Sequence, residues 1–187
     1  MKAILVNFNN NTEYESVAKK AHDRLYFYLN RAHFALKGSE VRSEREQSRF
    51  ETWFGKINEA HLNSVRNVIK TMHDAFEDNN IEIHYGGDSC DMETYAYVEQ
   101  DDIESKRYII HLCGLFFKIK DNAKFDTAMG TIVHELSHLA AGTVDFPLGE
   151  DEFCYGQEEC LKLANSKPDA AVTNADNYQF YCESFIK

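Results

Sequence analysis

The sequence is short of proline, basic charge and long apolar runs, and each shortage removes a class of protein. Two prolines in 187 residues, with 43% hydrophobic residues, describe a globular chain and not a disordered one. Lys and Arg number 20 against 31 Asp and Glu, giving a formal net charge of -11. That balance argues against binding a phosphate backbone, so no nucleic-acid partner is expected, and it favours cationic substrates or partners. No stretch approaches the roughly 18 consecutive apolar residues of a membrane span, so no membrane association is expected either. Ala3 to Val6 is too short for a signal-peptide core. The expectation is secretion or export by a route needing no such signal, as for an effector. Cytoplasmic residence is the alternative, and a mature fragment given a starting Met is a third. None of the five cysteines, Cys90, Cys113, Cys154, Cys160 and Cys182, forms a C-x-x-C pair, which argues against a thiolate zinc knuckle or a thioredoxin-like site. Their odd number leaves at least one thiol unpaired within a monomer. The length suits one domain spanning 1–187, large enough for a real core.

Periodicity places the elements. Asn7 to Asn11 break the first apolar run, and Thr12 with Glu15 reads as a capping box. Val17, Ala21, Leu25, Tyr28 and Ala32 then mark one face of a helix reaching about Leu36. Gly38 and Ser39 punctuate it, and the charged run 40–50 reads as helical in places. Leu62, Val65, Ile69, Met72 and Phe76 define a second long helix, from about Ile57 to Glu77. From Ile81 the period becomes two. Ile81, Ile83 and Tyr85 alternate, Gly86-Gly87-Asp88 turns, and 95–98 and 108–112 read as further strands separated by a turn at Asp101-Asp102. A small antiparallel sheet fits this block. Lys118 to Phe125 is polar and loop-like. Helices are expected again at 156–164 and 174–185, with a short turn or helix at Pro168. The fold class is therefore α+β, mostly helical. His22, His33, His61 and His73 fall in the helices and read as surface or packing residues.

One apolar run, Met129 to Ala141, carries His134-Glu135-Leu136-Ser137-His138. Residues four apart share a helix face, so the two imidazoles can bind one metal ion together. Glu135 points about 100° away from His134 and can hold a water beside the metal without being a ligand. Two neutral nitrogen ligands, an open position and a proton-accepting carboxylate are the minimum of a zinc hydrolase. The plainer alternative is a core helix with satisfied histidines. Burying these groups among Ile132, Val133, Leu136 and Leu139 without partners would be costly, and a metal removes that cost. Asp126 or Thr127 can cap this helix, and Gly142 can end it.

A third protein ligand is needed. His111 lies too early, on a strand, and no histidine follows His138. Asp145 lies seven residues after His138, past a turn that Gly142 permits, and can reach the metal. A surface turn aspartate is the other reading of Asp145.

His134 to His138 followed by Gly142-Thr143-Val144-Asp145 resembles the aspzincin metallopeptidases, the deuterolysin and peptidyl-lysine metalloendopeptidase family, with its H-E-x-x-H and G-T-x-D pattern. Thr52-Trp53-Phe54-Gly55, Thr94 to Val98, Leu112 to Phe116, Tyr155-Gly156-Gln157 and Asn174-Ala175-Asp176-Asn177 are similar to other family segments in the same order. The resemblance implies a zincin-like metallopeptidase domain acting as a zinc-dependent endopeptidase on peptides or proteins. It implies zinc ligands His134, His138 and Asp145, general base Glu135, and active-site tyrosine Tyr155. Asp176 would line the pocket for the residue after the cut, with lysine preferred. Read from the residues alone, Asp176 is an N-cap of the last helix. The resemblance also implies a Cys90–Cys113 disulfide in an oxidising compartment, against two buried free thiols in the cytosol. The chain departs from the pattern between Asp145 and Tyr155, where nine residues, Phe146 to Cys154, replace the usual couple. A monomer is expected. The alternative function is a non-catalytic zinc-containing protein-binding or toxin-like module on the same scaffold.

Overall fold

The computed structural model describes residues 4–38, 43–78, 81–120 and 123–187. Ala3, Ser39, the start of the charged run at 40–42 and two positions of the 118–125 loop lie outside the described residues. In chain order the elements are β1 (Ile4–Val6), α1 (Thr12–Ala35), α2 (Glu44–Phe54), α3 (Glu59–Glu77), β2 (Ile81–Tyr85), β3 (Ala96–Tyr97), α4 (Gln100–Ser105), β4 (Tyr108–Leu112), α5 (Ala128–Ala141), α6 (Gly156–Ser166), α7 (Pro168–Ala171) and α8 (Ala175–Glu183).

The sheet has the order β1-β2-β4-β3 and is mixed, which corrects the antiparallel expectation. β1 pairs β2 and β2 pairs β4 in parallel, with Ile83 opposite Leu5 and Ile110, and only β3 runs antiparallel to β4. The Gly86-Gly87 signal resembles a hairpin turn, but the chain passes through β3 and α4 before β4 returns beside β2. Parallel neighbours need such crossovers. The alternation sorts the strands as expected. Ile81, Ile83, Ile110 and Leu112 are buried against the helices, while Glu82, His84, Ile109 and His111 occupy the other face and are only partly covered.

Two local expectations are corrected. Asn11, not Thr12, caps α1, its side chain accepting from the Tyr14 N–H at 3.1 Å. The Asp101-Asp102 pair lies within the short helix α4 and not in a turn, with Asp102 buried and ion-paired to Arg107. The charged run is helical through Phe54, and its apolar residues Phe50, Trp53 and Phe54 are buried. They meet the aromatic face of α8. Trp53 stacks on Phe180 with centroids 5.2 Å apart, and Phe54 contacts Tyr178 and Tyr181 at 5.0 and 5.4 Å. Each such burial stabilises by about 1.5–3 kcal/mol. The buried Asn177 amide donates to the Trp53 carbonyl at 2.6 Å, so α2 fixes α8 by polar contact as well as packing.

α5 lies at the centre, packed on α8, α3, α1 and β4. Its N-cap is Thr127, whose hydroxyl oxygen accepts from the Gly130 N–H. Buried Glu183, at the end of α8, accepts from the Asp126 and Thr127 N–H groups and from the Thr127 hydroxyl. Gly130 makes this close approach possible: a Cβ there would lie 2.0 Å from Glu183 Oε1. One carboxylate thus ties the start of the central helix to the end of the last one. Cys90 and Cys113 are joined by a disulfide, as the resemblance implied. Closing a loop of 23 residues is worth about 3 kcal/mol in the chain-entropy model. Cys154, Cys160 and Cys182 are buried free thiols.

Candidate active site

α5 presents His134 and His138 on one face, and both imidazoles have a fixed orientation. His138 donates from Nδ1 to the Thr143 carbonyl at 2.7 Å. His134 donates from Nδ1 to Asp176 Oδ1 at 2.6 Å. Each Nδ1 therefore holds the ring proton, and each Nε2 presents a lone pair. This is the outer-shell bonding that metal-ligating histidines need.

The turn after α5 brings in the third group. Gly142 adopts φ 65°, a left-handed conformation that glycine takes without strain, and its N–H bonds back to the His138 carbonyl. Val144 then pairs in parallel with Asn174 at the start of α8: its N–H bonds Thr173 O at 2.9 Å and its carbonyl accepts from Ala175 N at 3.0 Å. That short bridge fixes Asp145 beside the two histidines and Asp176 behind one of them.

His134 Nε2 lies 3.0 Å from His138 Nε2, and Asp145 Oδ1 lies 3.2 Å and 3.5 Å from the two nitrogens. The edge of a tetrahedron around a metal with bonds of about 2.0–2.1 Å is about 3.3 Å. Asp145 Oδ1 is buried and has no hydrogen-bond donor. Three electron-pair donors facing one another without a proton between them are repulsive unless a cation joins them. The residues fit a metal ion. Among the described residues only His134, His138 and Asp145 form such a group, and it contributes three protein ligands, leaving a position open. Without metal, a proton takes that role. Burial lowers the His134 pKa, but the Asp145 and Asp176 carboxylates outweigh it and push it up to about 10. Burial likewise works against ionised Asp145, yet the two imidazoles hold its carboxyl well below the usual range.

Glu135 is buried on the same helix beside the cluster. Burial raises its pKa, opposed by the charges of His134 and His138. Tyr155 is the N-cap of α6 and half exposed, with its ring centroid 6.0 Å from that of His134. Burial and then the Asp145 carboxylate hold its phenol above the ordinary range, so it is a proton donor at neutral pH. The nine residues before it do not displace Tyr155 from the cluster.

Asp176 differs from both sequence readings. Asn174 is the N-cap of α8, and Asp176 is the second helical residue. Its side chain is 9% exposed and both oxygens are engaged, Oδ1 with His134 and Oδ2 with the Gly156 N–H at 2.7 Å. The carboxylate therefore orients a candidate ligand instead of lying open to substrate. The sequence pattern missed this contact because it joins residues 42 apart and depends on how α8 meets α5. It also missed Thr143, whose carbonyl holds His138. The four helical histidines behave as packing residues. His61 bonds Asp169, His73 bonds Asn30 and stacks on His33, and His22 lies against Phe76. His111 stacks on Tyr97 and donates to the Gly86 carbonyl, apart from the cluster.

The aspzincin family model, described as lysine-specific metallo-endopeptidase, matches residues 40–183. The chain belongs to the aspzincin family. Within it, an extracellular protease of Aeromonas hydrophila is 30% identical over 136 residues, covering 73% of this chain and 36% of that protein. A peptidyl-Lys metalloendopeptidase of Armillaria mellea is 31% identical over 137 residues, covering 73% and 35%. The chain spans about a third of the length of these two relatives. A zinc peptidase from Grifola frondosa has a similar structure, with TM-score 0.74, 26% identity, and coverage of 94% of this chain and 96% of that one. No helix among the described residues is long and apolar enough to cross a membrane.

Proposed function

We propose that this aspzincin is a zinc-dependent endopeptidase with His134, His138 and Asp145 as metal ligands, Glu135 as general base and Tyr155 as a second catalytic group. The observation that carries the reading is the convergence of His134 Nε2, His138 Nε2 and Asp145 Oδ1, 3.0 to 3.5 Å apart, beside the buried Glu135 carboxylate. His134, His138 and Asp145 would hold zinc, which when bound would supply Lewis-acid polarisation of the scissile carbonyl and a lowered pKa for the attacking water. Glu135, on the flank of the cluster, takes a proton from the attacking water and delivers it to the leaving amine. Its burial favours accepting that proton. The Tyr155 hydroxyl, held protonated, donates to the oxyanion as it develops. Asp176 and Thr143 keep the imidazoles oriented throughout.

We take residues 1–187 as one metallopeptidase domain acting as a monomer on peptides or proteins. The zinc peptidase neighbour, matched along almost its whole length, supports that unit. A basic residue, lysine first, is preferred after the cut. The names of the Armillaria relative and of the family model and the net charge of -11 support this. Since the Asp176 oxygens are engaged within the protein, exposed Glu150, Asp151 and Glu152 supply the attraction in this reading. The extracellular Aeromonas relative and the Cys90–Cys113 disulfide support export to an oxidising compartment. The non-catalytic alternative would be favoured by a fourth protein ligand closing the site, and the cluster has three among the described residues. The test is digestion of an unstructured protein with and without a chelator. Cleavage should stop on chelation and return on adding zinc; equal cleavage in both samples, or none with zinc bound, overturns the reading.

A further inference from the structure

Two half-exposed aromatic rings stand beside the candidate site. Phe153 is 46% exposed and Tyr155 49%, and their centroids lie 6.0 Å apart. A single exposed aromatic residue is ordinary on a protein surface. These two touch, and Tyr155 in turn borders the His134 ring at 6.0 Å.

The backbone places them there firmly. Residues 146–154 form a small hairpin: Pro147 bridges Phe153 in antiparallel fashion, Leu148 N bonds Glu152 O at 2.7 Å, and Cys154 N bonds Phe146 O at 2.8 Å. Its base is anchored to the core. The Phe146 N–H donates to the buried Asn174 side chain, which also donates to the Cys154 carbonyl. At the second strand's end the Tyr155 N–H bonds the Phe153 carbonyl at 2.9 Å, a three-residue turn centred on Cys154. That turn sends the Cys154 side chain into the core and leaves the two flanking rings outside, in contact. The hairpin tip carries Glu150, Asp151 and Glu152, all exposed, so the shelf is apolar at its base and acidic at its end.

We propose that Phe153, with the Tyr155 ring beside it, forms an aromatic shelf that receives a large apolar side chain of the peptide within two residues of the cleaved bond. This position is distinct from the one taking the basic residue. The inference rests on the peptidase reading and adds a substrate class to it. A peptide whose scissile bond lies beside His134 and Glu135 would also pass beside Tyr155, whose ring centroid is 6.0 Å from that of His134. A phenylalanine, tyrosine, leucine or methionine reaching the shelf covers both rings and removes apolar surface from water on both partners. An acidic residue in the same place meets the charged hairpin tip and is disfavoured.

The experiment is to map cuts by the zinc-loaded enzyme in a mixed peptide library, then measure kcat/KM on a peptide pair differing only at the enriched position, Phe against Ala. The wild type should favour Phe by about tenfold or more, in the range of apolar-pocket discrimination. Phe153→Ala should reduce that ratio to less than about twofold, while Phe153→Leu should keep most of it. The ratio is internal to each variant, so partial loss of folded enzyme does not alter it. Cuts without apolar enrichment near the bond, or an unchanged ratio in Phe153→Ala, overturn the shelf and leave the peptidase reading standing. Failure to cut any peptide overturns both.

Discussion

Asp176→Asn separates orientation of a metal ligand from contact with substrate. The wild-type carboxylate accepts two hydrogen bonds at once, from His134 Nδ1 at 2.6 Å and from the Gly156 N–H at 2.7 Å. An asparagine has one acceptor oxygen. If that oxygen keeps His134, its NH2 group faces the Gly156 N–H, donor to donor, and if it turns to Gly156, the imidazole loses its partner. Either way the charge that raises imidazole basicity is gone. Loss of such an outer-shell partner typically weakens metal binding 10–100-fold, or about 1.4–2.7 kcal/mol. The assay is a competitive chelator titration of zinc, run alongside kcat/KM at saturating zinc on peptides with lysine or leucine after the cut. Zinc affinity should fall by at least tenfold, with the lysine-to-leucine ratio nearly unchanged. Affinity within twofold of wild type, with collapse of the lysine preference, would refute the argument and return Asp176 to the substrate pocket.

Two further perturbations test the scaffold. Gly130→Ala places a Cβ 2.0 Å from Glu183 Oε1, and that carboxylate cannot retreat without dropping the N–H groups of Asp126 and Thr127. Overpacking costs about 1–3 kcal/mol, more than the roughly 1 kcal/mol of helix propensity gained, so thermal unfolding should move down by several degrees; a midpoint at or above wild type contradicts the α5–α8 contact. Burial, and then the stacked His73 with Lys37 and Lys70, push His33 down to about 4, against a smaller opposing effect of Asp74. The unfolded chain therefore takes up that proton first, and the stability contribution, complete above about pH 6.5, is lost as pH falls toward 4. Denaturation midpoints measured from pH 7.5 to 4.5 should decline less in His33→Phe than in wild type, and parallel curves would remove His33 as a cause.

The pairing of His134 and His138 was legible because helical spacing alone puts these positions on one face. Asp145 was legible as one of two readings, because Gly142 announced a turn but not its direction; the Val144–Asn174 bridge determines that direction and is a tertiary contact. Asp176 was legible at the start of the last helix, but its hydrogen bond to His134 was not, since the sequence does not reveal that α8 abuts the back of His134. The strands were legible from alternation at Ile81, Ile83 and Tyr85, but alternation has no strand direction, so the parallel pairing with β4 was not. Trp53 and Phe54 carried a family signal whose physical content, anchoring α8 behind the site, emerged only from their contacts with Phe180 and Tyr178.

The central claim is that Glu135 acts on water beside a metal that it does not bind. Glu135→Gln changes one oxygen to a nitrogen-bearing group of the same shape, removes the proton acceptor, and leaves His134, His138 and Asp145 in place. Measured at full zinc loading, confirmed by metal analysis of the same sample, the variant should keep wild-type metal content and thermal stability while kcat falls by about 10²–10⁴-fold, the range for loss of a general base. Peptidase activity within tenfold of wild type in that zinc-loaded sample would contradict the account.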